Sequence, residues 1–560
     1  NANTYGTARW ATREDIRKAG LLSDTGVVLG QFHNNYLRHD GAEHVLCFAP
    51  NRSGKGVVLV IPSLLTWPGS AIVHDIKGEN WDITAGFRST FSRTLRFDPT
   101  SLTSAAYNPL LEVRRGINEV RDVQNIADIL VDPEGSLEKR NHWEKTSHAL
   151  LVGAILHVLY AGANKSLAGV AAFLSNPDET IENTLGAMMD TPHLGEAGPH
   201  PVVASAAREL LNKSDNERSG VLSTAMSFLG LYRDPVIAAV TSHSDWRIAE
   251  LVGGMPASLY LVVPPSDISR TKPLIRLILN QIGRRLTEDF DPATKRQRVL
   301  FMLDEFPALG RLDFFESALA FMAGYGLKAF LIAQSLNQIE RAYGENNAIL
   351  DNCHVRVAFA TNDERTAKRV SESLGTTTEQ RSMKNYAGHR LSPWLGHLMI
   401  SRSETARALL TPGEILQLPK TDEVVLMSGA PPIRAKKARY YADRRLQARV
   451  ANVPASCGQR HGGAAPDDWS ALPPIQPDPD LSKEHRRKLD SANGGLRREP
   501  ELPEHVEVIA KAKAPAAEFE FADVDGADID QAAANNERIR RTMERSARQA
   551  SLDLGDGIDM

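Results

Sequence analysis

Two separated stretches carry residues whose types and order suit phosphate chemistry. The first is Cys47-Phe48-Ala49-Pro50-Asn51-Arg52-Ser53-Gly54-Lys55-Gly56-Val57, in which an apolar run meets a turn and then an apolar helix. Backbone N–H groups at the opening of such a helix point at an anion, the helix dipole favours negative charge, and Lys55 would reach the outer phosphates of a nucleotide. The general pattern G-x-x-x-x-G-K-[ST] asks for Gly where Ala49 stands and for a hydroxyl where Gly56 stands, so Pro50 to Gly56 would also serve as a plain strand-to-helix turn. The second stretch, Arg298 to Pro307, is an apolar strand ending in Asp304-Glu305. There Asp304 would hold Mg²⁺, directly or through water, and Glu305 would polarise an attacking water, because phosphoryl transfer asks chiefly for positioning and charge neutralisation. A β-rich run, Leu327 to Ala333, then ends in Gln334-Ser335. Gln334 would sense a γ-phosphate or orient water there, or simply cap the next helix.

These residues need elements to hold them. Glu43 to Phe48 reads as a buried strand, and Val57, Val58, Ile61, Leu64 and Leu65 recur at helical spacing from Gly54 to Leu65. Ser70 to His74 and Arg93 to Phe97 read as further strands. Asp75, Lys77 and Glu79 follow the first of these, so they would either approach the nucleotide or form a local charge network. From 110 to 250 the pattern is all helical: Val120 to Val131, Trp143 to Ala161, Leu167 to Leu174, Ile181 to Met189, Val202 to Leu211 and Ser219 to Leu231. Strand and helix alternate again from Ala257 to Val263, through a helix Ile268 to Leu286, to strands at His354 to Ala360 and Glu423 to Met427. That helix carries Arg270, Lys272, Arg276, Arg284 and Arg285, which would be a solvated face or would line a nucleic-acid channel. The alternation predicts an α/β fold with a mainly parallel sheet covered on both faces.

Taken in order, Arg52-Ser53-Gly54-Lys55-Gly56, Asp75-Ile76-Lys77-Gly78-Glu79, Asp304-Glu305-Phe306-Pro307, Gln334-Ser335 and Leu410-Thr411-Pro412-Gly413-Glu414-Ile415 resemble the TraG-like type IV coupling proteins of bacterial conjugation and secretion. These belong to the FtsK–HerA group of hexameric P-loop ATPases, and the motifs cover roughly residues 1 to 440. The resemblance implies a RecA-like nucleotide domain using ATP and Mg²⁺, assembly as a homo-hexamer, and delivery of single-stranded DNA with its attached relaxase to the subunits of a type IV secretion channel. It places an all-α domain between the loop and the acid pair, facing the substrate entrance. The alternative it leaves open is an adaptor platform that recruits effector proteins to the channel with little DNA motor activity. Rings of this group often complete a neighbour's site with an arginine; Arg311, Arg356 and Arg365 are candidates for it here, and none is singled out.

The expected organisation is a membrane-proximal lead-in at 1–40, nucleotide domain at 41–140 and 251–450, an all-α domain at 141–250, and a mostly disordered tail at 451–560. The tail is rich in Pro, Gly, Asp and Ala and includes Glu518 to Asp525 and the Arg-rich, helix-prone Gln531 to Leu552. With 560 residues, 42% hydrophobic and 24% charged, the chain can bury more than one core, and a net charge of −4 leaves nucleic-acid binding to a local patch or an assembled channel. Cys47, Cys353 and Cys457 are scattered without C-x-x-C spacing, which supports neither a disulfide framework nor a zinc site and suits a reducing cytoplasm. The longest apolar run, His148 to Ala163, is shorter than the about 20 residues of a bilayer span. Relatives of this kind carry an N-terminal anchor just before the Tyr5-Gly6-Thr7-Ala8-Arg9-Trp10 segment, so the chain is expected to be the cytoplasmic part of a bacterial inner-membrane protein.

Overall fold

The computed structural model describes residues 4–135, 140–288, 296–387, 397–452 and 466–479. Its strands are β1 (Val27–Phe32), β2 (Asn35–His39), β3 (Val45–Phe48), β4 (Ser70–Asp75), β5 (Arg93–Phe97), β6 (Ala257–Val262), β7 (Val299–Leu303), β8 (Leu327–Ala333), β9 (Val355–Ala358), β10 (Thr376–Ala387), β11 (His397–Ala408), β12 (Asp422–Met427) and β13 (Ile433–Lys436). One 11-stranded sheet has the order β2-β1-β13-β12-β9-β3-β8-β7-β4-β6-β5. From β9 to β5 every neighbouring pair is parallel, and β12, β13, β1 and β2 extend it antiparallel. Every residue of β3, β4, β6, β7 and β8 is buried, as expected of strands covered on both faces. The α/β class and mainly parallel sheet read from the sequence are therefore present, with the early hairpin β1–β2 joined to the same sheet.

A charged exception lies in that core. Lys328 on β8 is 1% exposed, and its ammonium donates to the carbonyls of Gly41 at 2.8 Å and Glu43 at 2.7 Å and to His39 Nδ1 at 2.7 Å. These bonds satisfy an amine that burial pushes down to about 7, and they fix the turn entering β3.

Between β5 and β6 the described residues form no strand. Helices Glu119–Leu130, His142–Ala161, Leu167–Leu174, Ile181–Asp190, Pro201–Leu211 and Asp215–Phe228 pack there, matching the six helical runs of the sequence to within a few residues. Four of their starts have side-chain caps of this kind: Asn141 with Glu144 forms a capping box, and Ser166, Thr180 and Ser214 each accept an N–H from the first turn. The helices share a continuous apolar core with one face of the sheet, through Leu46, Ile72 and Phe301.

The structure differs from expectation in several places. Gly54 to Leu65 is not a plain α-helix: Gly56–Val60 is a π-helix, in which the Ile61 N–H bonds the Gly56 carbonyl, and Ile61–Leu64 continues as α-helix. Pro62 supplies no N–H, so the regular ladder is already interrupted at the transition. The hairpin β10–β11 is unforeseen, because Thr376-Thr377-Thr378-Glu379-Gln380 is β-prone without an apolar run to mark it. Residues 466–479 pack rather than trail. Trp469 is 0% exposed, donates from Nε1 to the Val113 carbonyl at 2.7 Å and meets Tyr160 edge-on at 5.0 Å, while Ile475 and Asp478 N–H groups bond the carbonyls of Ala161 and Asp190. The segments at Glu518 to Asp525 and Gln531 to Leu552 lie outside the described residues.

On the basic helix Ile268–Leu286, four of the five basic residues that the sequence singled out, all but Arg285, are engaged within the chain. Arg270 pairs with Asp234 and Asp267, Lys272 pairs with Glu134, Arg276 is buried on backbone carbonyls, and Arg284 bonds Asn280 and covers the Phe314 ring. These pairings account for most of the positive charge that periodicity alone would have left for DNA.

Candidate active site

The sheet order brings the reading's residues to one point. β8 lies between β3 and β7, with Phe48 level with Ala333 and Leu331 level with Leu303. The three chains therefore leave the sheet side by side at their carboxyl ends, where α/β proteins gather ligands. Beyond β3, Ala49 is held by its N–H to the Ala333 carbonyl at 2.9 Å. Pro50, Asn51, Arg52 and Ser53 then turn, with the Ser53 N–H on the Pro50 carbonyl at 3.2 Å. Arg52 and Gly54 adopt positive φ, 59° and 83°. For Gly54 the requirement is conformational, since a Cβ there would meet nothing within 4 Å. Gly56 likewise faces open space, so a phosphate can approach the backbone where a hydroxyl would otherwise stand. Val58, Leu59, Val60, Ile61 and Leu64 are buried behind the loop and anchor it to the core.

Lys55 Nζ lies 2.8 Å from Asp304 Oδ1 and also bonds Glu305 Oε1. Gln334 Nε2 donates to both Glu305 oxygens, at 3.0 and 2.9 Å. Lys55, Glu305, Gln334 and Asp304 therefore form one connected cluster, with the charged side chains 13 to 18% exposed. Burial opposes the Lys55 charge, but the two carboxylates outweigh it and hold the ammonium above its ordinary range. Burial pushes the Asp304 carboxyl up, the Lys55 ammonium pulls it back, and Glu305 adds to the rise. Glu305 itself sits in the left-handed region at φ 55°, a conformation that costs a non-glycine residue about 1–2 kcal/mol. The short 3₁₀ turn Phe306–Leu309 begins there, and the strained step re-aims the Glu305 side chain toward Lys55.

Asp75, Lys77 and Glu79 divide. The Asp75 carboxylate is buried and accepts the N–H groups of Gly78 at 3.0 Å and Trp81 at 2.9 Å, so it caps the helix Glu79–Arg88. Burial raises its pKa to about 6, although those amides resist the rise. Lys77 and Glu79 are exposed. The arginine candidates are engaged within the chain: Arg311 with Glu316, Arg356 with the carbonyls of Leu350 and Cys353, and Arg365 with Glu340.

Two residues that sequence reasoning missed support the cluster. His74 is buried, and its Nδ1–H donates to the Asp304 carbonyl at 2.7 Å; burial lowers its pKa, so the neutral ring makes this bond. Its position at the end of β4, beside β7, was the available signal, but only the sheet order makes those strands neighbours. Lys437 donates to the Ser53 carbonyl at 3.1 Å while lying 3.6 Å over the Phe359 ring, bracing the loop from below. Nothing in its local sequence indicates that role, because it lies 384 positions from Ser53.

Chemically, the cluster is a lysine parked on two acids, in front of a backbone cradle open to an anion. Such a lysine can exchange its carboxylates for phosphate oxygens and release Glu305 to act on water. Residues 9–460 match the family described as Type IV secretory system Conjugative DNA transfer. A conjugal transfer protein TraG of Escherichia coli is 42% identical over 508 residues, covering 81% of this chain and 79% of the relative. The VirD4 protein of Rhizobium rhizogenes is 32% identical over 471 residues, covering 80% and 67%. Among solved structures, the bacterial conjugative coupling protein TrwBdeltaN70 superposes with TM-score 0.58 at 16% identity, covering 78% of this chain and 97% of that one. A form of TrwB in complex with ADP and Mg²⁺ gives TM-score 0.59 at 16% identity, over 81% and 96%. With the family match spanning most of its length and relatives this similar, the chain belongs to the TraG-like coupling proteins of conjugative type IV secretion systems.

Proposed function

We propose that the chain is a Mg²⁺-dependent ATPase that assembles as a homo-hexamer and delivers single-stranded DNA, with its attached relaxase, to a type IV secretion channel. It would do so as the cytoplasmic part of an inner-membrane protein; among the described residues no helix is long and apolar enough to cross a membrane. The observation that carries the reading is the meeting of Lys55, Glu305 and Gln334 from three adjacent strand ends.

The residues present fit a nucleotide and its metal. The loop from Pro50 to Gly56 leaves open space before Gly54 and Gly56 for phosphate, and Lys55 supplies the cation. Among the described residues no group of three or more His, Cys, Asp or Glu could cage a metal ion. That suits Mg²⁺, which is usually bound through one or two carboxylates, water and phosphate oxygens. Asp304 would be the carboxylate that holds it, and the ion when bound would supply charge neutralisation at the phosphates. Lys55 would leave Asp304 and Glu305 for phosphate, Gln334 would keep Glu305 oriented, and Glu305 would accept a proton from water. His74 holds the Asp304 backbone through this exchange, and the Lys437 contact keeps Ser53 in place.

The deciding experiment measures phosphate release with and without single-stranded DNA while protein concentration is raised. Turnover that climbs with both is the expected result, and DNA affinity should fall steeply with salt as counterions are released. ATP turnover that ignores both DNA and concentration would overturn the motor reading in favour of an effector-recruiting platform.

A further inference from the structure

A buried cation joins the helical region to the loop that bears the catalytic acids. Arg276, on Ile268–Leu286, is 2% exposed. Its Nη1 donates to the Asp132 carbonyl at 2.7 Å and its Nη2 to the Arg311 carbonyl at 2.9 Å. The two acceptors belong to different segments, one closing the helix Glu119–Leu130 and the other ending the turn that starts at Glu305. The segments also touch directly: the Arg311 N–H bonds the Gly135 carbonyl at 3.3 Å.

Both glycines at this crossing are compelled. Gly135 and Gly310 have φ of 68° and 71°. A Cβ on Gly135 would lie 2.5 Å from the Arg311 oxygen and 2.6 Å from the Arg276 guanidinium; on Gly310 it would lie 2.2 Å from the Glu134 oxygen. Backbone packed this closely transmits displacement rather than absorbing it.

Each side of the crossing is tied onward. Toward the site, Ala308 N–H bonds the Glu305 carbonyl at 2.9 Å and Gly310 N–H bonds the Pro307 carbonyl at 3.1 Å, so a shift at 310 reaches Glu305 within one tight turn. Away from it, Asp132 N–H bonds the Ile129 carbonyl at 3.3 Å at the end of Glu119–Leu130. At the other end of that helix the Glu119 carboxylate is buried and receives Tyr160 Oη–H at 2.9 Å, the Gly116 N–H at 2.8 Å and His200 Nε2 at 3.0 Å. This 12-residue helix, roughly 18 Å long, is thus pinned in the helical core at one end and on Arg276 at the other. A cavity of about 1010 Å³ lined by Glu134, Lys272, Pro307, Arg311 and Tyr343 borders the crossing and leaves it room to move.

We infer that Arg276 is a positioning residue that couples the helical region to Glu305, so that nucleotide binding at the loop tightens Glu119–Leu130 and occupation of the helical region repositions Glu305. The inference rests on the ATPase reading above. The element with two arrangements is the Lys55–Glu305 contact, made in this structure and necessarily broken when Lys55 turns to phosphate; a coupling claim needs such an element.

Hydrogen exchange on the full chain, with and without a non-hydrolysable ATP analogue and Mg²⁺, tests it. Slowed exchange is expected at 50–56 and also at 119–135, the latter by about five-fold or more, the low end of ordinary coupling between sites. In Arg276→Gln the effect at 119–135 should vanish while that at 50–56 persists, and Arg276→Lys should restore part of it by keeping one donor. Protection at 50–56 with none at 119–135 in the native chain overturns the coupling and leaves the ATPase reading intact. No protection at 50–56 overturns both. Because the native chain alone decides these outcomes, an Arg276→Gln protein that fails to fold does not shelter the proposal.

Discussion

Replacing Glu305 by Gln should make the protein bind ATP more tightly while it turns over more slowly. In the structure Lys55 contacts both Asp304 and Glu305, with all three side chains less than one-fifth exposed. Nucleotide binding must therefore break both contacts before Lys55 can reach phosphate. A hydrogen bond to a charged group contributes about 1.5–3 kcal/mol, whereas one to a neutral amide oxygen contributes about 1 kcal/mol. The Glu305→Gln change thus removes about 0.5–2 kcal/mol from the state that competes with nucleotide, which corresponds to a roughly 2- to 30-fold lower Kd. Shape is nearly conserved, and Gln334 Nε2 still finds an oxygen on the new side chain, so misfolding is not expected. Loss of the carboxylate that accepts a proton should lower kcat by about 10²- to 10⁴-fold. Equilibrium titration with a non-hydrolysable ATP analogue and Mg²⁺, beside steady-state phosphate release, reads the two effects separately. A Kd equal to or weaker than that of the native chain would show that Lys55 is not held back by Glu305. Native turnover in the same protein would remove Glu305 from the chemistry.

Other consequences follow from single residues. Asp304→Asn should abolish Mg²⁺-dependent hydrolysis, since Gly56 offers no hydroxyl to the metal; retained activity would send the search for the metal ligand elsewhere. Trp469→Ala should destabilise the helical region by about 3–5 kcal/mol, because a fully buried indole and its hydrogen bond to Val113 are lost, and thermal unfolding measures it. A deletion beginning at residue 458 should show the same loss and one beginning at 480 should not; equal stability of both would mean that the packed segment contributes little. His44 accepts the Ala329 N–H at Nδ1 and donates from Nε2 to the Leu319 carbonyl, so both ring nitrogens are committed in the neutral form and burial lowers the pKa to about 4. The unfolded chain, with an ordinary pKa near 6.5, takes up that proton first, so stability falls as pH drops from about 6.5 toward 4. Between pH 7 and 5 His44 should account for about 2 kcal/mol of the loss, and His44→Gln should lose correspondingly less in urea unfolding; identical losses in the two proteins would refute the assignment.

What the sequence by itself determined is local. Runs such as Val299 to Leu303, and Leu327 to Ala333 apart from the internally bonded Lys328, are apolar because a strand covered on both faces buries nearly every side chain, and they read correctly as strands. Helical runs likewise marked the helices between 119 and 228, and the ordered motifs put the loop, the acids and the glutamine at the ends of strands where the structure has them. Features without a distinguishing pattern were invisible: the Thr-rich strand β10, the π rather than α hydrogen bonding of Gly56–Val60, and the packed Trp469 within a Pro-rich segment. Only the tertiary structure decided the rest, because sheet order is set by which buried faces fit together and not by any residue's neighbours in sequence. It put β8 between β3 and β7, so that Gln334 and Lys55 both meet Glu305; it put β4 beside β7, so that His74 supports Asp304. It also used Arg270, Lys272 and Arg276 of Ile268–Leu286 for internal pairs and carbonyl bonds, where composition could record only that the charges exist.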